Sequence, residues 1–192
     1  MRIFLAGASG IIGERLLPIL IADGHHVAGM TRTPGKAGKI SRSGGFAVVC
    51  DVFDVKGLLE AVVSFHPDLV WHQLTDLPDD PLLIPEHGVA NNRIRTEGTE
   101  NLLRTANAVR ARVIAQSVAW QLPGAGGTAV SHLEEKVLAA KGVVIRYGQF
   151  YGPGTYYQSE KPDHPRIHID EAAQRSLAAI ALKGGILTIK EG

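Results

Sequence analysis

The chain has 192 residues, 45% of them hydrophobic, and its 20 basic and 19 acidic side chains leave a formal charge of +1. A chain of this length buries enough apolar surface for one domain without disulfide or metal support. The balance of charge excludes the concentrated basic surface that a nucleic acid or an anionic membrane requires. Cys50 is the only cysteine and forms no internal disulfide, which fits a reducing cytoplasm. No apolar run reaches the roughly 18 residues needed to span a bilayer. Arg2 and the apolar stretch after it resemble a secretion signal, but the pattern runs on into the amphipathic Glu14-Arg15-Leu16-Leu17 and is read as part of the fold.

In chain order, Ile3 to Ala6 is a short apolar run that predicts a buried strand, and Gly7 to Gly13 is a glycine-rich turn. A helix follows over Ile11 to Ala22, stopped by Gly24. Val27 to Met30 is a second strand, Thr33 to Gly45 a basic loop, and Phe46 to Val49 a third strand. Val55 to Phe65 has a helical period, Leu69 to His72 is a fourth strand, and the proline-rich Asp76 to Pro85 is a loop. A long helix is predicted over His87 to Arg110 and a fifth strand over Arg112 to Gln116. The chain continues with a helix over Thr128 to Ala140, a strand over Val143 to Tyr147, a loop from Gly148 to Pro165, a helix over Asp170 to Leu182 and a last strand over Ile186 to Ile189. Strands that are apolar throughout and alternate with helices predict an α/β doubly wound parallel sheet of about seven strands. Nothing in the composition divides residues 1–192, so one domain is expected, with 148–170 as a small substrate-region insertion.

Gly7, Gly10 and Gly13 follow the first strand and open the first helix. That spacing suits a dinucleotide: the first glycine permits a tight turn, the second lets backbone approach a pyrophosphate, and the third lets helix and strand pack closely. Ala8, Ser9, Ile11 and Ile12 complete the loop, and the helix N-terminus offers free N–H groups to phosphate. NAD-specific folds place an acid about 20 residues later, on the ribose hydroxyls. Here no acid lies between Asp23 and Asp51, and the second strand ends Met30-Thr31-Arg32, with Lys36, Lys39 and Arg42 beyond. An arginine paired to a 2′-phosphate fits this pattern, so NADP(H) is expected first and NAD(H) second; the alternative is a solvated basic loop. Asp51, with Val52 beside it, is placed to accept from the adenine amino group or to cap the next helix.

The segments GASGIIG at 7–13, DVFD at 51–54, EGTENLL at 97–103, RYGQFYGPGT at 146–155 and HIDEAA at 168–173 together resemble the extended and atypical short-chain dehydrogenase/reductases, the NAD-dependent epimerase/dehydratase group. The resemblance implies a seven-stranded Rossmann core, a small C-terminal region for a small-molecule substrate, a homodimer built on two long helices, and a cofactor stretch at His72, Gln73, Leu74 and Thr75. Ser117 lies near the position of the catalytic serine of such proteins, with a plain strand-end hydroxyl as the alternative, and the following helix carries Lys136. Four residues before Lys136 stands His132, where the family carries a tyrosine. A histidine side chain can donate a proton near neutral pH, so His132 is the expected substitute proton donor; the alternative is a surface helix. Tyr157 and Lys161 repeat the Tyr-to-Lys spacing but precede prolines, outside any helix. Arg95 occupies the place of a family asparagine, with Asn91 and Asn92 about one turn earlier.

No His, Cys, Asp or Glu group has metal-ligand spacing, and Asp76, Asp79 and Asp80 are read as a solvated loop. Trp120, Phe150, Tyr151, Tyr156 and Tyr157 form either an aromatic substrate wall or packing. The expected function is an NADP(H)-binding reductase or epimerase acting on a carbonyl, alcohol or sugar nucleotide; the alternative is a non-catalytic NADP(H) sensor. The homodimer is expected through 87–110 and 128–140, where Val130, Leu133, Val137 and Leu138 spread over more than one helix face.

Overall fold

Strands with no polar face need helices on both sides. The computed structural model, which describes residues 1–192, has that arrangement. The elements in order are β1 (Arg2–Ala6), α1 (Gly13–Ala22), β2 (His26–Thr31), α2 (Ala37–Arg42), β3 (Phe46–Val49), α3 (Val55–Phe65), β4 (Leu69–His72), α4 (Ile84–Arg93), α5 (Thr99–Ala108) and β5 (Arg112–Val118). They continue with α6 (Gly124–Ala139), β6 (Val143–Tyr147), β7 (Gln149–Tyr151), β8 (Arg166–His168), α7 (Ile169–Ser176), α8 (Ala178–Ala181) and β9 (Gly185–Ile189). Seven strands form one sheet in the order β3-β2-β1-β4-β5-β6-β9, every neighbouring pair parallel. The order reverses at β1, which lies between β2 and β4, the switch point at whose carboxyl strand ends an open α/β sheet has its ligand crevice.

Each sheet face carries its own apolar layer. On one, Ile3, Leu5 and Trp71 pack with Leu16 and Leu20 of α1 and Ala172 of α7. On the other, Phe4, Val70 and Val144 pack with Leu58 and Val62 of α3, Leu102 of α5 and Leu133 and Val137 of α6. The helices are built for this. Helix α3 buries Leu58 and Val62, four residues apart, and starts at Asp54, whose carboxylate accepts from the Gly57 amide at 3.0 Å.

Several expectations are corrected. Residues 33–45 are not a loop: a 3₁₀ turn over Pro34–Lys36 leads into α2, held down by the buried Ile40. The long helix starts at Ile84 and is continuous through α4, a π-helical turn over Ile94–Gly98, and α5, ending at Ala108. Helix α6 starts at Gly124, and the 148–165 segment contributes β7, which pairs with β8 in a two-stranded parallel ribbon. The 170–182 segment divides into α7 and α8. Leu133 and Val137, part of the basis for expecting a homodimer, face the core, so their apolar surface is consumed within the chain. No helix is long and apolar enough to cross a membrane.

Candidate cofactor site and active site

The glycine loop links β1 to α1 at the order reversal. Gly7 has φ of +92°, and a Cβ there would stand 2.6 Å from the Gln73 carbonyl oxygen. A Cβ on Gly13 would overlap the Gly7 carbonyl oxygen. Gly10 differs: its nearest neighbour would be the same oxygen at 3.4 Å, and it faces solvent. Ile12 gives α1 no side-chain cap, and the amides of Ile11, Ile12 and Gly13 take no protein acceptor. Three unpaired N–H groups at a helix N-terminus form a cradle for an anion. Ser9 Oγ lies 2.8 Å from Thr31 Oγ1, tying the loop to the end of β2.

Arg32, just past β2, projects over this end of the sheet. Its Nη2 donates to Asp76 Oδ1 at 2.6 Å, across to the segment after β4. The Asp76 contact is the main reason its guanidinium lies above the ordinary arginine value, with Asp51 adding a smaller share. Lys39 is spent on Glu14 at 2.6 Å. Asp51 Oδ1 accepts from the Phe53 amide, while Asp54, not Asp51, caps α3; Val52 is buried, its carbonyl accepting from Asn101.

Behind the loop, His72 and Gln73 are buried. His72 Nδ1 accepts from the Leu74 amide at 3.1 Å, so Nε2 carries the proton and donates to Thr99 Oγ1 at 3.2 Å. Burial pushes this imidazole down to about 4. Gln73 Nε2 donates to Tyr147 Oη at 3.2 Å, Tyr147 donates to Ser176 Oγ, and Ser176 donates to the Ala172 carbonyl. Burial raises the Tyr147 phenol to about 12, against the smaller opposing pull of its Ser176 and Gln73 hydrogen bonds. Leu74 and Thr75 follow on the strand-end segment, where the Leu74 carbonyl accepts from Gln116 at 3.1 Å.

Ser117 takes a different partner from His132 and Lys136. Ser117 Oγ donates to Glu134 Oε1 at 2.6 Å, and Glu134 is gripped by both arms of Arg146. His132 and Lys136, one turn apart, both turn to Glu100 on α5, at 3.0 and 3.8 Å. Glu134 is the residue that the sequence reading missed. The signal lay in the spacing: it shares the sheet-facing side of α6 with Leu133 and Val137, where an unpaired acid is not tolerated. Burial works to raise its carboxyl, but the hydrogen bonds from Arg146 and Ser117 outweigh this and hold it below the ordinary value. This share of stability is therefore complete above the ordinary glutamate range and is lost as pH falls below it. Glu134→Ala is expected to cost about 2 kcal/mol, read by urea unfolding. The loss falls short of the roughly 3–5 kcal/mol of a fully buried pair because water reaches the Arg146 guanidinium once the partner is gone.

The profile of the NAD-dependent epimerase/dehydratase family matches residues 3–136. A 3-diazoavenalumate denitrifying reductase of Streptomyces is 34% identical over 226 positions, covering 94% of this chain and 72% of that one. This chain belongs to the NAD-dependent epimerase/dehydratase family. The fold agrees. A UDP-glucose 4-epimerase of Thermus thermophilus, crystallised with NAD, superimposes with a TM-score of 0.81 at 18% identity, over 100% of this chain and 78% of that one. An ADP-L-glycero-D-manno-heptose-6-epimerase of Helicobacter pylori gives 0.76 at 17%, over 98% and 76%.

In this member of the epimerase/dehydratase family the glycine loop is roofed by the segment after β7. Arg15 of α1 donates to the Pro153 carbonyl at 2.6 Å and to Asp170 at 2.6 Å, and a Cβ on Gly154 would reach the Ile11 side chain. Tyr156 donates to the Pro78 carbonyl, closing the roof onto the loop after β4. The aromatic residues after β6 differ in their surroundings. Phe150 packs on Tyr147 at 5.2 Å, and Tyr151 is bound to Glu191, while Tyr156 and Tyr157 keep more than a third of their surface in solvent. Lys161 lies over the Tyr151 ring and joins Glu191 with Arg166.

Proposed function

We propose that this protein is an NADP(H)-dependent reductase. The observation that carries the reading is the cradle of free amides at Ile11, Ile12 and Gly13, with Gly10 leaving its approach open. Gly7, Ala8, Ser9 and the free amides of 11–13 would hold the pyrophosphate, while Asp51 and Val52 border the adenine side and Gln73, Leu74 and Thr75 the nicotinamide side. Bound there, the cofactor supplies a hydride. The choice of NADP(H) rests on the end of β2, where Thr31 is occupied by Ser9 and Arg32 replaces the usual acid. Asp76 engages one arm of the Arg32 fork, and the side chain is more than half exposed, which leaves donors for a 2′-phosphate. Reduction is favoured over epimerisation because the Streptomyces relative is named as a reductase. Its matched span of 226 positions also exceeds the matched part of this chain, so the relative carries additional residues inside that span.

Arg32→Ala is expected to weaken NADPH binding roughly 10- to 150-fold, the range of a charge-assisted hydrogen bond, while leaving NADH unchanged. Calorimetry that gives equal affinities for the two cofactors in the unmutated protein overturns the NADP(H) reading. Turnover is tested by NADPH oxidation against a panel of carbonyl and diazo compounds. A second reading, a cofactor-dependent regulator, is favoured by the engagement of Ser117 with Glu134 and of His132 and Lys136 with Glu100, which leaves each of them paired to an acid. Tight NADPH binding with no oxidation across the panel selects that reading.

A further inference from the structure

Four arginines of this chain are half-buried: Arg15, Arg95, Arg146 and Arg166. Arg15 is matched by Asp170, Arg146 by Glu134 and Arg166 by Glu191. Arg95 has no carboxylate, no carbonyl and no aromatic ring as a partner. It alone is a recessed cation left without a counter-charge, an arrangement that costs folding free energy. Its position in the fold explains the cost. Arg95 lies in the π-helical turn that joins α4 to α5, and such turns recur at functional sites. One turn before it, Asn91 Oδ1 accepts from the Asp76 amide at 3.0 Å. One turn after it, Thr99 accepts from His72 at 3.2 Å. Both neighbours, four residues to either side, hold the segment that leaves β4, so the turn that carries Arg95 runs alongside the His72–Asp76 segment at the crevice. Helix α6 packs against the same turn. Burial lowers the Arg95 guanidinium from its ordinary value, and no acid opposes that shift.

We propose that Arg95 receives the carboxylate of the substrate, so that the compound turned over in this crevice is a small organic acid rather than a neutral sugar. The proposal rests on the reading of the crevice as a substrate site, but not on the identity of the cofactor. The planar fork of a guanidinium matches a carboxylate through two parallel hydrogen bonds, and a fork withheld from every internal acid is free to make both. Arg95 is then a specificity-determining residue.

The test uses the full chain with benzoate and its neutral isostere benzamide as probes, with inorganic phosphate as a rival anion, each titrated with and without NADPH. Benzoate is expected to bind and benzamide to bind far more weakly. Arg95→Met is expected to weaken benzoate roughly 10- to 100-fold and to leave NADPH affinity unchanged. The same substitution is expected to raise Tm, because it removes an unpaired charge; a structural arginine would lower it. Arg95→Lys, which keeps the charge without the fork, is the second variant and is expected to keep only part of the benzoate affinity. The proposal is overturned if benzoate fails to bind, if phosphate binds in its place, if benzamide binds equally well, or if both variants bind benzoate as the unmutated protein does. Benzoate binding without NADPH binding would leave this proposal standing and remove the cofactor reading.

Discussion

Alanine at Gly7 or Gly13 is expected to destabilise the fold and to abolish cofactor binding, whereas alanine at Gly10 should affect binding alone. At Gly7 two costs add. A side chain at φ of +92° is strained by about 1–2 kcal/mol, and its Cβ is driven against the Gln73 carbonyl, an overpacking cost of about 1–3 kcal/mol. The sum, about 2–5 kcal/mol, is a large part of the roughly 5–15 kcal/mol that holds a domain together. At Gly13 the obstruction is again backbone, so α1 itself must move and the three free amides move with it. Gly10 has clearance for a methyl group, and its substitution should change stability by less than about 0.5 kcal/mol. The added methyl would stand where a pyrophosphate has to approach. Urea unfolding and NADPH fluorescence separate the two effects. Unchanged NADPH affinity in Gly10→Ala would remove the loop from the cofactor site.

Acid is expected to weaken the fold through His72. Its imidazole sits near 4 in the native state against about 6.5 in an unfolded chain, so between those values the unfolded chain binds a proton that the native protein excludes. Stability therefore falls as pH drops from 6.5 toward 4, by roughly 3 kcal/mol for this residue, and is unaffected by it above that window. His72→Gln retains an acceptor for Leu74 and a donor for Thr99 but does not titrate. Urea unfolding at pH 7 and pH 4.5 should show a shallower pH dependence in the variant. Identical dependence in the two proteins would mean that His72 is not held neutral by the fold.

The strands were legible because a parallel sheet covered on both faces demands unbroken apolar runs; β3, β4, β6 and α3 fall on the predicted residues. Helix α2 was not legible, since Ile40 is its single apolar anchor among lysine, arginine and glycine. The start of α6 was hidden by Gly124, Gly126 and Gly127, which weigh against a helix until packing overrides propensity. The π-helical turn has no marker in a run of ordinary helix formers. In the site, the glycine spacing identified the cradle from local sequence alone. The pairings Arg32–Asp76 and Ser117–Glu134 link residues far apart in the chain, and only the tertiary fold brings them within hydrogen-bonding distance.

The all-parallel sheet also governs how the protein is made. A parallel pair cannot form through a tight hairpin, so each strand must wait for a crossover to be completed. The wait is longest for β1, whose Ile3 pairs with Val27 on one side and with Leu69 on the other. At about 5–20 residues per second, a ribosome leaves one edge of this apolar strand uncovered for seconds while α2, β3 and α3 are synthesised. A nascent chain interrupted before β4 emerges presents that edge to its neighbours. Slower translation across residues 26–68 should therefore raise aggregation during synthesis without changing the stability of the finished protein.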